Sequence, residues 1–196
     1  MKKAKDLQLN RVIHLQNVLL GSDHVLLAME KHDMDLREWL RDHRQINKIL
    51  TMVGEGIKEL HSMGYVHRDL KPDNVVVSLR PLSVKLIDFE RAQPRTLTTV
   101  GHVRGTAGYF PERENLKDGS TKWDSYALAA MALECDMEKD AYLHVMTERG
   151  AKVKVNEYLN EKGTCPELRN LLRRTLLAHD ADDILEINEI MQMQAI

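Results

Sequence analysis

Eight consecutive residues near the middle of the chain, 67–74, carry the side chains best suited to chemistry. They read His-Arg-Asp-Leu-Lys-Pro-Asp-Asn, and Asp88 follows fourteen residues after Asn74. Asp69 can accept or orient the proton of an attacking hydroxyl, and Lys71, two residues on, faces the same way in extended backbone. Asn74 and Asp88 offer the hard oxygen ligands that magnesium prefers. The set predicts phosphoryl transfer, which needs positioning and cations more than covalent help from protein.

A hairpin is predicted to bring these side chains together. Val75 to Val77 and Val84 to Ile87 are short strand-like runs, and Arg80-Pro81 between them marks a turn. Asn74 then starts one strand and Asp88 follows the end of its partner, so both belong at the open end of the hairpin. A lone Asp-Leu-Lys or Asp-Phe is more often a turn or a cap, but the joint pattern argues against chance.

Other patterns predict the surrounding elements. Apolar residues at helical spacing from Ile46 to Leu60 predict an amphipathic helix that Gly64 ends. The unusually apolar run from Trp123 to Glu134 predicts a helix buried on most sides. Further predictions are a hairpin from runs 12–20 and 24–29, helices at 35–40, 138–149, 166–178 and 184–193, and a loop at 91–105.

Taken together, these motifs resemble the catalytic core of eukaryotic-type serine/threonine protein kinases. The octet resembles the catalytic loop of that family, and Lys71-Pro72 is typical of serine/threonine rather than tyrosine kinases. Gly-Thr-Ala-Gly-Tyr-Phe-Pro-Glu at 105–112 resembles the end of an activation segment. Asp124 resembles the buried-helix aspartate that holds the catalytic loop in this family. The resemblance covers residues 12–193.

The resemblance implies an α+β fold, in which a mostly helical C-lobe carries a remnant β-hairpin of the N-lobe. Residues 1–32 would form the remnant strands and the hinge. Residues 33–196 would form the C-lobe, with the catalytic loop at 67–74 and the activation segment at 88–112. ATP and Mg²⁺ are the implied cofactors, and a protein substrate or a partner kinase is the implied partner.

Roles within the site follow from the same resemblance. Asp69 is the expected catalytic base, and Lys71 is expected to neutralise the transferring phosphate. Asn74 and Asp88 are the expected Mg²⁺ ligands and would contact ATP through the metal. The remaining expected ATP-binding residues are Glu30 and Lys31 in the hinge and Val76 on the floor of the adenine pocket, with Met29 as gatekeeper. For Met29 and Val76, plain core packing accounts for the residue type equally well.

Three further expectations concern the activation segment. His67 is expected to pack inward, and Arg68 to receive an anion from the following loop. Thr96, Thr98 and Thr99 could be phosphorylated there, although an ordinary threonine-rich loop is the simpler account. Glu112 would pair with an arginine in the family, where this chain offers Asp183. Arg173 or Arg174 could substitute.

Two departures from the protein kinase pattern bear on whether the chain is catalytically active. No glycine-rich loop and no strand lysine precede Val12, and family spacing from Met29 leads us to expect that the chain begins inside or just after the helix that pairs with that lysine. The usual Asp-Phe-Gly is Asp-Phe-Glu at 88–90. That triplet also occurs in choline and aminoglycoside kinases, but those families lack the 105–112 motif. The rival hypotheses are therefore a weak or N-lobe-dependent kinase, an inactive fragment that binds proteins, and a split gene.

Composition and charge argue against several other classes of protein. The formal charge is -2 and the pI is near 6.5, so no polybasic surface for nucleic acid or anionic lipid is indicated. No stretch approaches the roughly 18 apolar residues of a membrane span. Cys135 and Cys165 fit neither a metal spacing nor a disulfide framework. We expect an intracellular protein, cytoplasmic or nuclear, with apolar surface exposed around Leu15, Leu19 and Phe89.

Overall fold

The computed structural model describes residues 9–40, 46–100, 105–111, 116–137, 139–147, 150–161 and 164–193. The strands are β1 (Leu15–Leu20), β2 (Val25–Met29), β3 (Met34–Asp35), β4 (Tyr65–Val66), β5 (Val75–Leu79), β6 (Leu82–Leu86) and β7 (Gln93–Pro94). The helices are α1 (Leu36–Trp39), α2 (Ile46–Ser62), α3 (Lys122–Asp136), α4 (Lys139–Thr147), α5 (Ala151–Glu161), α6 (Pro166–Arg173) and α7 (Ile187–Gln192). This is the predicted α+β architecture, with a helical body and small antiparallel sheets.

A three-stranded antiparallel sheet of order β3-β5-β6 supports the middle of the chain. Val75 pairs with Leu86 and Val77 with Val84, and all four side chains are completely buried. Val76, between them, points to the opposite face and is half-buried. The hairpin predicted to turn at Arg80-Pro81 is therefore confirmed.

Helices α2 and α3 form the centre of the core. Along α2, Ile49, Val53 and Ile57 repeat every fourth residue and lie at 1% exposure or less, as the apolar periodicity predicts. The helix ends before Gly64, whose φ of +84° is a conformation that glycine adopts without strain. Every residue of α3 from Trp123 to Glu134 is buried, so the prediction of a helix covered on most sides is confirmed.

Two helix predictions differ from the structure in extent. The helix predicted at 166–178 ends at Arg173, because the chain turns there and the Leu185 amide donates to the Arg174 carbonyl. The helix predicted at 184–193 starts at Ile187, where Glu186 and Glu189 form a reciprocal capping box. Helix α5 was not predicted, since its mixture of polar and apolar residues shows only weak periodicity.

The first hairpin is shorter than predicted. Val12 does not extend β1; it forms a parallel bridge with Leu86, and the backbones of Arg11 and Ile13 exchange hydrogen bonds with Leu86. Residues 11–13 thus extend the central sheet beyond β6, whereas β1 and β2 pair with each other. The predicted loop at 91–105 also contains a short strand, since β7 pairs with β4.

The exposed apolar surface lies on the β1–β2 hairpin. Leu15 and Leu19 are 51% and 54% exposed, as predicted. The prediction was wrong for Phe89, which is half-buried and packs against the core and the His67 ring. Within the described ranges, no helix is both long and apolar enough to cross a bilayer.

Candidate active site

The open end of the β5–β6 hairpin brings Asn74 and the residue before Asp88 into direct contact. The Ile87 amide donates to the Asn74 carbonyl at 3.0 Å. Asn74 closes a 3-10 turn, Pro72–Asn74, and its side-chain amide donates to the Asp69 carbonyl at 2.8 Å. Asp88 follows with a left-handed φ of +62°, a conformation that aspartate tolerates better than most residues and that is enriched at functional sites.

The Asp69 carboxylate is held from one side by the activation segment. Its Oδ1 accepts from the Thr106 amide at 2.9 Å and from the Thr106 hydroxyl at 2.8 Å. The Lys71 ammonium donates to the same hydroxyl at 2.9 Å and lies 3.8 Å from Asp69 Oδ2. Arg91 Nε lies 3.7 Å from that oxygen. Oδ2 therefore faces two cations and is the oxygen left for a further hydrogen bond.

A buried carboxylate fixes the backbone of the catalytic loop. Asp124 accepts from the His67 amide at 2.8 Å and from the Arg68 amide at 2.9 Å, and His61 Nε2 lies 2.8 Å from Oδ2. Burial alone would raise the pKa of Asp124, but the hydrogen bond from His61 and the proximity of His67 bring it below its ordinary value. These contacts constrain Arg68 at a φ of +70°, next to Asp69. The predicted role of Asp124 in holding this loop is confirmed.

His67 packs inward as predicted. It is fully buried, its Nε2 donates to the Ile87 carbonyl at 2.9 Å, and its ring contacts Phe89 at 5.0 Å between centroids. The histidine therefore joins the catalytic loop to the strand end that carries Asp88.

Val76, predicted to form the floor of the adenine pocket, lies on the other face of the β5–β6 hairpin. Val76 pairs with Lys85 across the strands, so both side chains share that face. The Lys85 ammonium binds the Glu30 carboxylate, which also accepts from the His14 amide at 3.1 Å. Burial alone would raise the pKa of Glu30, but the Lys85 and His14 hydrogen bonds lower it. The Glu30 side chain thus anchors the end of β2 to this face, near Val76.

Lys31 and Met29 flank Glu30 in the sequence. Lys31 is exposed, and Met29 is 46% exposed at the end of β2. Among the predicted site residues, the described structure thus groups Asp69, Lys71, Asn74 and Asp88 around one hairpin end and places Glu30 and Val76 on one strand face.

A second charged network contacts the catalytic loop at Asp73. Arg37, on α1, binds the Asp73 carboxylate with two nitrogens, at 2.9 and 2.8 Å, and also binds Glu134 and the Tyr109 hydroxyl. Tyr109 in turn donates to the buried Glu134. Burial and Glu134 raise the pKa of Tyr109, and the Arg37 hydrogen bond lowers the pKa of Asp73. The network joins α1, the catalytic loop, the activation segment and α3.

The anion that Arg68 meets differs from the expected one. Its guanidinium binds Asp118 at 2.9 Å, and Asp118 lies after the 91–105 loop rather than within it. Thr99 faces this carboxylate, donating to Asp118 Oδ2 at 2.7 Å, rather than facing Arg68. Thr96 and Thr98 are exposed.

The expected partner of Glu112 is not tested, because Glu112 lies outside the described residues. The proposed substitutes have other contacts: Arg173 donates to Asn160 at 3.4 Å, and Arg174 lies 3.6 Å from Glu189. Asp183 accepts from the Asp180 amide at 3.1 Å.

Thr106 and Arg91 were not among the predicted site residues, although both contact Asp69. Because Thr106 belongs to the 105–112 motif, the sequence could have identified it as a site residue. Arg91 follows the unusual Glu90, and nothing in the sequence marks it as a site residue. Its approach to Asp69 depends on how the chain turns after Phe89.

Comparison with known proteins agrees with this geometry. Residues 1–194 match the family described as the protein kinase domain, and the chain belongs to that family. It is 32% identical over 115 residues to the serine/threonine-protein kinase pkn3 of Myxococcus xanthus, an alignment that covers 53% of this chain and 21% of that protein. It is 35% identical over 91 residues to the serine/threonine-protein kinase PknE of Mycobacterium tuberculosis, covering 44% of this chain and 16% of PknE. The alignments thus span about a fifth or less of the length of these curated relatives.

Proposed function

We propose that the chain acts as a serine/threonine protein kinase domain, transferring a phosphoryl group from Mg-ATP to hydroxyls of protein substrates. The observation that carries the proposal is the arrangement at Asp69. One carboxylate oxygen is held by two Thr106 donors, and the other is turned toward Lys71 at the mouth of the hairpin. A carboxylate held in this way can orient an attacking hydroxyl and accept its proton.

The cations near Asp69 Oδ2 suit the charge that develops in the reaction. Lys71 reaches this oxygen from the catalytic loop and Arg91 from the activation segment, so two cations face one carboxylate oxygen. Cations fixed in this way stabilise anionic phosphoryl oxygens without reorganisation during transfer. We assign to Lys71 the role of neutralising the negative charge on the phosphoryl group during its transfer.

The donor set at the hairpin end fits a hard divalent ion. The Asn74 side-chain nitrogen is committed to the Asp69 carbonyl, which leaves the amide oxygen as a possible ligand. Asp88 is exposed, and within the described residues its carboxylate has no hydrogen bond or ion pair. Magnesium takes few protein oxygens of this type and fills its shell with water and phosphate. When bound, Mg-ATP supplies the phosphoryl group and the divalent charge that shields its oxygens.

Adenine would lie on the strand face formed by Val76, near Glu30 and Lys31. The activity of residues 1–196 alone is expected to be weak, or to depend on an N-lobe, because residues 1–11 contain neither a glycine-rich loop nor a strand lysine of the Val-Ala-Ile-Lys type. The charge-assisted phosphate contacts of such a loop and its lysine contribute about 1.5–3 kcal/mol each to binding.

The first test is a thermal-shift titration of the chain with Mg-ATP. A ligand that binds the native state raises the melting temperature as its concentration exceeds its dissociation constant. The second test measures transfer of labelled phosphate to casein by the wild type and by Asp69→Asn. We expect Asp69→Asn to bind nucleotide normally and to transfer about 10²–10⁴-fold more slowly.

The matched control is Asp23→Asn, which makes the same Asp-to-Asn change at an exposed position in the β1–β2 turn. It should match the wild type in both measurements. Equal transfer by Asp69→Asn and wild type would overturn the assignment of Asp69.

The second candidate function is an inactive domain that binds other proteins. It is favoured by the apolar β1–β2 hairpin, whose side chains are largely exposed. No rise in melting temperature at millimolar Mg-ATP, together with no transfer, would select this function over the first.

A further inference from the structure

Asp118 joins the catalytic loop to the activation segment through its two carboxylate oxygens. Oδ1 accepts from Arg68 Nη2 at 2.9 Å, and Oδ2 accepts from the Thr99 hydroxyl at 2.7 Å. The Arg68 side chain is 1% exposed and that of Asp118 is 7% exposed, so this ion pair is shielded from solvent. The carboxylate is therefore a fixed negative charge between the two segments.

The backbone reinforces the same junction. The Asp118 amide donates to the Thr99 carbonyl at 2.8 Å, and the Gly119 amide donates to the Leu97 carbonyl at 3.0 Å. A Cβ at Gly119 would lie 2.6–2.7 Å from the carbonyl oxygens of residues 94, 95 and 97, so only glycine permits this approach. Thr99 and Asp118 thus bond through both backbone and side chain, which fixes the threonine hydroxyl against the carboxylate.

The junction acts on the residue next to the candidate base. Arg68 precedes Asp69, and its buried guanidinium lies 5.4 Å from the Trp123 ring centroid. A guanidinium buried without a counter-charge is strongly unfavourable. Asp118 therefore stabilises the buried position of Arg68 and, through it, the left-handed turn of the catalytic loop.

We propose that Asp118 is a positioning residue, a built-in counter-ion that docks the 95–99 segment on the catalytic loop without phosphorylation. A phosphate on Thr99 would bring a second negative group against Asp118, remove the hydroxyl donor and open the junction. The effect on transfer rests on the proposed function, whereas the effect on the junction does not.

The structural test measures the rate of hydrogen exchange at the backbone amides of Asp118 and Gly119 in the full chain. The protein is produced in a bacterial host, and mass spectrometry confirms that it carries no phosphate. We expect slow exchange in this unmodified protein. Thr99→Glu and Asp118→Asn should each accelerate it about tenfold or more, since charge-assisted hydrogen bonds are lost. Thr98→Glu adds the same charge one residue away, on an exposed side chain, and should leave the exchange unchanged.

Thr99 is exposed, so Thr99→Glu tests the junction even if Asp118→Asn does not fold. Unchanged or slower exchange in Thr99→Glu would overturn the proposal, as would rapid exchange of both amides in the unphosphorylated wild type.

The catalytic test separates kcat from KM. If the chain transfers phosphate, Thr99→Glu and Asp118→Asn should lower kcat about tenfold or more while the KM for ATP changes little, because the base rather than the nucleotide is misplaced. An equal kcat in Thr99→Glu and wild type would overturn the positioning role. A wild type with no transfer would instead refute the proposed function, and the exchange measurement would still decide the role of Asp118 at the junction.

Discussion

Thr106 directs both of its donors, the backbone amide and the hydroxyl, at one oxygen of Asp69. The same hydroxyl accepts from Lys71, so a single side chain joins the candidate base to the candidate phosphate-neutralising cation. The two loops are 37 residues apart in sequence. Orientation of the base therefore depends on the activation segment being in place.

Replacing Thr106 by valine should reduce phosphoryl transfer about tenfold or more, because Asp69 loses a fixed hydrogen bond and gains rotational freedom. Thr106→Ser retains the hydroxyl and should stay within a few-fold of the wild type. The measurement is kcat with a protein substrate at saturating Mg-ATP. Full activity in Thr106→Val would show that the backbone amide alone orients the base.

Asp124→Asn should destabilise the fold by about 3 kcal/mol or more, because an amide cannot accept from His61 and from two backbone amides as the carboxylate does. The folded-state pKa of Asp124 is below its ordinary value. Its stabilising contribution is therefore complete above the unfolded pKa, near 4, and is lost as the pH falls through the folded pKa.

Urea unfolding at pH 7 and at progressively lower pH measures both effects. The gap in unfolding free energy between wild type and Asp124→Asn should be largest at neutral pH and should narrow on acidification. Asp23→Asn, on the exposed hairpin turn, should behave as the wild type. A gap that widens with acid would contradict the direction of the pKa shift.

The elements that sequence reasoning predicted well are those with strong local signals. The apolar periodicity of α2, the short strand-like runs of β5 and β6 with a turn between them, and the apolar run of α3 are local patterns, so each element can be placed from the sequence. The catalytic octet likewise predicted that Asp69, Lys71 and Asn74 lie together, because they are close in sequence and share one turn.

What sequence reasoning missed depends on contacts between distant segments. The bridge of Val12 to Leu86, the pairing of Arg68 with Asp118 and the approach of Arg91 to Asp69 all join residues whose local context carries no periodic signal. The end of α6 at Arg173 was missed for a similar reason, since Leu185 supplies the hydrogen bond that accompanies the turn. Tertiary contacts outweighed local propensity at these positions.

The two cysteines should differ in reactivity. Burial raises the pKa of the Cys135 thiol to about 12, so it remains protonated near pH 8 although its side chain is half-buried rather than fully buried, whereas Cys165 is exposed. Titration of the native chain with Ellman's reagent at pH 8 should release close to one equivalent rapidly and the second much more slowly, and both rapidly in urea. Cys165→Ser should abolish the fast phase and Cys135→Ser should preserve it; a fast phase in Cys165→Ser would show that Cys135 is accessible.

The β1–β2 hairpin should make the 196-residue chain self-associate. Leu19 and Leu26 form a cross-strand pair, and they are 54% and 55% exposed. An isolated two-stranded hairpin is marginally stable in water, and a contiguous apolar surface of this kind promotes association. The double change Leu19→Ser and Leu26→Ser should reduce both the binding of an apolar dye and the apparent mass in light scattering.

Val153→Ser is the matched control for this change, because Val153 is 61% exposed but stands on helix α5, away from the hairpin. Isolated apolar residues at a surface are ordinary, so Val153→Ser should leave both measurements unchanged. Neither change should alter stability by more than about 0.5 kcal/mol, since the replaced side chains are on the surface. A wild-type chain that is monomeric and binds no dye would refute the prediction, because eight large apolar side chains on β1 and β2 would then be exposed without consequence.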